Sequence, residues 1–183
     1  DDLNAVSSPG SEWHYSNTNY ILLDSIVAAV SNSTLAAVFK RIIFTPLAME
    51  SSYLEFRQDS AANGSELSVE GYEGSEKVTD INDGIGFGDG GVVSTVADLT
   101  LFLDALFRQK SLLSQASLDE MLTEVMAQEY GLGAEIRTTS AGPVQGHNGA
   151  SSGFQGELLY FPQQAITYVL LSNQEDSDVL DKV

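Results

Sequence analysis

The hydrophobic period changes near Tyr130, and this change most constrains what the 183-residue chain can fold into. Before that point apolar residues recur at helical spacing. After it they alternate with polar residues, as in half-buried strands. Helices that are followed by strands, with turn residues between the strands, are typical of an α+β fold with antiparallel pairing. We therefore predict a mostly helical region over 1–129, then antiparallel strands and the start of a C-terminal helix over 130–183, as parts of one domain.

Four helices are predicted before residue 130. Ser, Thr, Asp and Asn are preferred at helix starts, because their side chains accept hydrogen bonds from free backbone N–H groups. The expected caps are Asn17 or Thr18, Thr34, Thr95 and Ser117, and the last two open sequences of the capping-box form. Between the second and third helices, residues 51–92 are rich in Gly, Ser, Asp and Glu. This segment predicts a long loop-rich insert with one or two short elements.

The strands are predicted at 130–137, about 144–148, 155–161 and 166–172. Residues 149–153 lie between two of them and match G-x-S-x-G. An α/β-hydrolase with that motif needs a helix after the serine, and its histidine follows the serine along the chain. Here a strand pattern follows, and no His lies downstream of Ser151. Turn serines are the favoured interpretation, and an independent hydrolase using Ser151 or Ser152 is the alternative.

Composition excludes several classes of function. Eight Lys+Arg against 26 Asp+Glu give a net charge of −18, which repels nucleic acid and anionic membranes. The longest apolar runs are far shorter than the ~20 residues that span a bilayer, so no membrane span is expected. The absence of Cys excludes disulfides, thiolate zinc sites and a cysteine nucleophile.

No metal or cofactor is expected either. His14 and His147 have no partner at ligand spacing. Residues 80–84 faintly resemble a calcium loop, but their Gly falls one place early, and Gly91 occupies the twelfth position where Glu is required. A solvated acidic turn is the favoured interpretation of that segment.

Five segments spread over most of the chain form a recognisable series. They are 9–23 with Pro9-Gly10, Tyr15-Ser16-Asn17 and Tyr20; 43–49; 90–102; 130–133; and 146–154. In this order they resemble the motifs PG…YSN…Y.LL, IF.PLGM, GG..ST..DL..F, YGLG and GH.G…GF of the serine β-lactamase and penicillin-binding protein superfamily. The most similar branch contains class C β-lactamases, D-alanyl-D-alanine carboxypeptidases and family VIII esterases. Ala48 stands where that family usually has Gly.

The resemblance implies a β-lactamase/transpeptidase-like α+β fold and a serine hydrolase that forms an acyl-enzyme on a lactam, a D-Ala peptide or an ester. It implies that Tyr15 is the catalytic base, if cationic neighbours lower its pKa from about 10. Asn17 would bridge the nucleophile, a lysine and the substrate amide. His147 stands where many relatives carry the Lys of K-T-G, and it would bind the substrate carboxylate and tune Tyr15.

Residues next to His147 are implied to hold the substrate. They are Asn148, Gly149 and Ala150, with the backbone N–H of Ala150 as one oxyanion donor. The resemblance also implies a periplasmic or extracellular location, although the chain carries no targeting signal.

The family's nucleophile is the Ser of an S-x-x-K motif, and this chain has none. The residues three places before its four lysines are Ala37, Gly74, Phe107 and Val179. We therefore expect a C-terminal portion whose sheet lacks its first strands and which is inactive alone. Its expected partners are the missing N-terminal segment, a small-molecule or peptide substrate, and a second copy through an unpaired sheet edge. The alternative is a scaffold of the same fold without catalysis.

Overall fold

Helices precede a four-stranded sheet in the computed structural model, which describes residues 5–54, 69–78, 87–151 and 153–175. The helices are α1 (Asn17–Ser31), α2 (Leu35–Phe39), α3 (Val96–Leu103) and α4 (Gln115–Met121). Single π-helical turns, Lys40–Phe44 and Asp104–Arg108, continue α2 and α3. This order confirms the predicted α+β class.

Eight strands are described, and the first four are two residues long. These are β1 (Tyr53–Leu54), β2 (Tyr72–Glu73), β3 (Glu76–Lys77) and β4 (Val92–Val93). The main sheet contains β5 (Glu135–Thr139), β6 (Gly142–Ser151), β7 (Phe154–Phe161) and β8 (Ile166–Ser172), all antiparallel and in chain order. The loop-rich insert thus contains short pairs, β1 with β4 and β2 with β3, within its described residues.

The strand predictions were accurate for β7 and β8 and wrong for the start of β5. The last predicted strand, 166–172, has the bounds of β8. The first was expected from Tyr130, but β5 begins at Glu135. A tight turn lies between them, because Gly131 donates to the carbonyl of Ala134 (2.8 Å) and Gly133 has a φ of +77°. β6 extends beyond the predicted 144–148, because Gly149, Ala150 and Ser151 still pair with β7. The expected turn over 149–153 is therefore wrong for its first three residues, and Ser152 lies outside the described residues.

The core lies between one face of this sheet and the helices. Its buried members are Leu103, Leu106, Phe107, Leu118 and Tyr160. The rings of Phe107 and Tyr160 stack at 5.8 Å, which joins the continuation of α3 to β7. Successive side chains of a strand point to opposite faces, so Val144 lies on the other face of β6, in a second cluster with Leu159 and Phe161.

Two predicted caps are confirmed. The Thr34 hydroxyl accepts from the N–H of Ala37, and the Thr95 hydroxyl accepts from the N–H of Asp98, each at 3.2 Å. The carboxylate of Asp98 does not close a capping box, however. It accepts from the Ser51 N–H (2.9 Å) and the Ser52 hydroxyl (2.7 Å), because a carboxylate only 7% exposed needs several donors.

The other two predicted caps are wrong. α1 begins at Asn17 after Ser16, which makes no side-chain cap bond, so neither Asn17 nor Thr18 is the cap. α4 is capped by Ser114, whose hydroxyl accepts from the N–H of Ser117 at 3.1 Å. The real cap therefore lies three residues before the predicted one, because Ser114-x-x-Ser117 can satisfy a free N–H equally well.

The first helix, α1, exposes a row of apolar side chains. Leu22, Leu23, Ile26 and Val30 follow one side of the helix at helical spacing and are 61%, 50%, 50% and 80% exposed. We call these four residues the α1 stripe. The residue of α1 that is buried is Asp24. A contiguous exposed apolar stripe of this kind is typical of an interaction surface.

Within the described residues no single helix is long and apolar enough to cross a membrane. α1 and α2 with its continuation pass that test together, by length and composition, but they are bent by 72° relative to each other. The calcium-like segment 80–84 and the predicted helix at 176–183 lie outside the described residues.

The β6–β7 pairing generates a matched pair of stability predictions. A Cβ at Gly146 would lie 1.8 Å from the carbonyl oxygen of Leu158, whereas one at Gly149 would have nothing within 4 Å. Gly146→Ala is therefore expected to lower the free energy of unfolding by roughly 1–3 kcal/mol or more, through overpacking. Gly149→Ala is expected to change it by less than about 0.5 kcal/mol. Urea unfolding followed by circular dichroism measures both, and equal effects would contradict the described register.

Candidate active site

Aromatic rings from three parts of the chain meet beside the start of α1. Trp13 and Tyr15 come from the segment before the helix, Tyr130 from the turn before β5, and His147 from β6. Ring centroids are 6.0 Å apart for Tyr15 and Tyr130, 6.4 Å for Tyr15 and His147, and 5.7 Å for Trp13 and Tyr130. The structure therefore brings Tyr15 and His147 together, although 132 residues separate them in the sequence.

A line of hydrogen bonds crosses this cluster. The Tyr130 hydroxyl lies 2.8 Å from Nε2 of His147 and 3.4 Å from the hydroxyl of Tyr20. On the other side of the imidazole, Nδ1 of His147 contacts the carbonyl oxygen of Asn148. Both ring nitrogens of His147 therefore have a partner within the described residues.

Glycine in the turn after Tyr130 permits this approach. Gly133 has a φ of +77°, and a Cβ there would lie 3.3 Å from the hydroxyl of Tyr20. A larger residue would strain the backbone and press on Tyr20. The Y-G-L-G segment thus places the Tyr130 ring against α1.

The electrostatic surroundings of the two tyrosines oppose ionisation. Partial burial raises the pKa of Tyr15, and Tyr20, Glu135 and Asp89 add to the increase. The pKa of Tyr130 is also raised, mainly by burial and then by its neighbour Tyr20. A general base needs the opposite direction, and none of the groups that shift Tyr15 is a cation.

The remaining predicted site residues lie along two elements. Asn17 is the exposed first residue of α1, two positions after Tyr15. Asn148, Gly149 and Ala150 are exposed and continue β6 from His147, opposite residues 155–157 of β7. The Ala150 backbone lies in the strand that the resemblance assigns to the oxyanion donor, and its role stays a prediction.

Sequence reasoning missed three members of the cluster. Trp13, Tyr20 and Tyr130 were not predicted as site residues, although Tyr20 and Tyr130 lie in segments quoted for the family resemblance. That resemblance was the available signal, because no local pattern shows that residues 110 apart share a hydrogen bond.

A second group of charges lies on the opposite face of the sheet. Arg137 forms ion pairs with Glu135 (3.3 Å) and with Glu157, which is 2% exposed. Burial raises the pKa of Glu157, and Arg137 partly opposes this increase. The pair with Glu157 joins β5 to β7 across β6, on the face of the sheet opposite to His147.

Metal ligands do not converge in this part of the chain. Over the described ranges, no group of three or more His, Asp or Glu side chains is placed to hold a metal ion. His14 instead contacts Glu12 at 3.3 Å, and both side chains are largely exposed.

Comparisons with known proteins give a consistent result. The family model described as Beta-lactamase matches residues 2–183. Penicillin-binding protein 4* of Bacillus subtilis is 29% identical, and the match covers 95% of this chain and 42% of that protein. A D-aminopeptidase of Cereibacter sphaeroides is 26% identical, over 92% of this chain and 33% of the relative. The chain thus spans well under half the length of these two relatives.

Solved structures share the fold. A D-stereospecific amidohydrolase from Streptomyces sp. superposes with a TM-score of 0.80 and 25% identity, over 92% of this chain and 52% of that one. D-amino acid amidase from Ochrobactrum anthropi gives a TM-score of 0.79 at 22% identity, over 94% and 55%. The latter identity supports the fold alone.

The surroundings of Tyr15 make a testable prediction about its titration. Because the Glu135 carboxylate disfavours a nearby phenolate, Glu135→Gln is expected to lower the pKa of Tyr15. The measurement is phenolate absorbance as a function of pH. Subtracting the curve of the Tyr15→Phe variant leaves the titration of Tyr15. Glu120→Gln, an exposed change on α4, is the control and should leave the curve in place. A Tyr15 midpoint at or below the ordinary tyrosine value of about 10 would contradict the described surroundings.

Proposed function

The chain belongs to the Beta-lactamase family, and we propose that it is the C-terminal part of a serine hydrolase that forms an acyl-enzyme. The observation that carries the proposal is the contact of Tyr15 with His147, each in a segment that resembles a catalytic motif of the family. The chain contains no S-x-x-K sequence, so the nucleophile and its lysine would come from an upstream segment.

In the proposed mechanism Tyr15 moves the proton and the upstream serine forms the bond. The serine oxygen attacks the acyl carbon while its proton passes to the Tyr15 phenolate. Tyr15 then returns that proton to the leaving group, and water hydrolyses the acyl-serine. Since burial, and then Tyr20, Glu135 and Asp89, raise the pKa of Tyr15 here, the upstream lysine would supply the positive charge that is missing from this set of groups.

The proposed substrate is the amide of a D-amino acid or a related peptide or ester. Two similar proteins carry the names D-aminopeptidase and D-stereospecific amidohydrolase. A histidine carries a full positive charge only at acid pH, so His147 is a weaker carboxylate anchor than the lysine of K-T-G. This difference favours amide and ester substrates over lactams that carry a carboxylate.

Two surfaces suit the proposed upstream segment. The α1 stripe is exposed and apolar. β8 is the last strand of the described sheet, where it pairs with β7. An edge strand of sequence ITYVLLS is prone to pair with another strand, and we propose that an upstream strand of the same protein occupies it.

A catalytic role for Ser151 has little support in the geometry. Ser151 ends β6 and pairs with Phe154 of β7 in an antiparallel hairpin. A nucleophile elbow instead needs a strand-to-helix turn. The second candidate function therefore stays the scaffold of the same fold without catalysis.

Covalent labelling tests the proposed function. The chain alone is expected to form no adduct with a penicillin or a fluorophosphonate, because loss of a catalytic serine costs roughly a million-fold in rate. A protein extended upstream in its gene is expected to gain one adduct, which intact mass spectrometry detects. In the extended protein, Ser151→Ala should leave the adduct unchanged. An adduct on the chain alone would overturn the proposal, and none on the extended protein would favour the scaffold.

Docking on the α1 stripe is tested with a matched pair of leucines. Leu22→Gln is expected to weaken binding of the separately expressed upstream segment by roughly 10- to 100-fold, since burying a leucine is worth about 1.5–3 kcal/mol. It should also reduce self-association of the chain. Leu113→Gln changes an exposed leucine outside the stripe, 38% exposed, and should do neither. Titration calorimetry and sedimentation velocity give the two readouts, and equal behaviour of the variants would exclude the stripe as the contact.

A further inference from the structure

The Asn148 carbonyl determines which group donates in each hydrogen bond between Tyr130, His147 and Asn148. A backbone carbonyl only accepts, so the contact of His147 Nδ1 with the Asn148 oxygen requires a proton on Nδ1. A neutral imidazole carries one proton, and Nε2 must then be the acceptor. The Tyr130 hydroxyl, 2.8 Å away, therefore donates to Nε2.

The other neighbour of the Tyr130 hydroxyl is the hydroxyl of Tyr20, 3.4 Å away. The part of the line with a determined direction runs from Tyr130 through His147 to the Asn148 carbonyl.

We propose that Tyr130 is the positioning residue of His147, holding it in the Nδ1-protonated tautomer and in one ring orientation. The hydrogen bond that one imidazole nitrogen makes sets which nitrogen carries the proton. The edge-on contact between the two rings, 5.6 Å between centroids at 83°, adds an orientational constraint. For catalysis this inference rests on the proposed function, because it concerns the same site.

The held tautomer limits what His147 offers to a substrate. Its single N–H already bonds the Asn148 carbonyl, and its free lone pair is taken by Tyr130. A substrate carboxylate, which only accepts, receives no N–H from this neutral ring. The titratable groups that shift the pKa of Tyr15 or Tyr130 are Tyr15, Tyr20, Glu135 and Asp89. None of these groups is a cation that could bind the carboxylate in place of an imidazole N–H.

Long-range ¹⁵N–¹H NMR of the 183-residue chain tests the inference without substrate. His14→Gln leaves His147 as the single histidine. At a pH where the ring is neutral, Nδ1 is expected to show the protonated shift and Nε2 the unprotonated one. In Tyr130→Phe, loss of one hydrogen bond should reduce the tautomer ratio about fivefold, the equivalent of about 1 kcal/mol. The Nε2 resonance would move towards the protonated position.

Tyr15→Phe is the matched control. Tyr15 contacts the same imidazole ring at 6.4 Å, with no hydrogen bond to it in the described structure, so its removal should leave the tautomer unchanged. An Nε2-protonated ring in the unsubstituted background would overturn the inference even if Tyr130→Phe fails to fold. An unchanged tautomer in a folded Tyr130→Phe would also overturn it. Because the spectra need no turnover, failure of the proposed hydrolase activity would leave this result standing.

Discussion

β6 and β7 pair without interruption from Gln145 with Tyr160 to Ser151 with Phe154. The position of the site depends on this pairing. In this register His147 lies on the face of the sheet that packs against α3 and α4, and Val144 lies on the other face. Tyr160 of β7 is stacked on Phe107, so the helices are fixed relative to the strand opposite His147. Segments far apart in sequence can then meet at one end of the sheet.

The charge of the chain acts on this site in one direction. The net charge is −18, and the groups that shift Tyr15 and Tyr130 are tyrosines and carboxylates. Such surroundings favour neutral phenols, which suit hydrogen-bond donation better than proton abstraction. The described residues therefore form a hydrogen-bond network, and no cation is among the groups that shift the pKa of Tyr15.

Much of the fold could be predicted because local signals agree with the tertiary structure. The bounds of β8 and the caps Thr34 and Thr95 follow from alternation and from the need to satisfy free N–H groups. The late start of β5 could not be read from alternation, since a glycine turn interrupts the apolar pattern. The exposure of the α1 stripe is a tertiary property, and periodicity alone predicts burial. Tyr15 and His147 were found through motifs, whereas the contact of Tyr130 with both depends on a fold that no local pattern encodes.

The fit of Gly146 over the Leu158 carbonyl has a consequence for the allowed alignments of the hairpin. Side chains alternate with a period of two, so a slip of one residue would exchange the two faces of β6. His147 would then point towards the buried Arg137 and Glu157 pair, and Asn148 would face the tyrosines. Such a slip would also place a residue with a Cβ where the chain has space only for glycine. The fit at Gly146 therefore disfavours the slipped alignment, and the same contact that fixes the register keeps His147 on the side of the tyrosines.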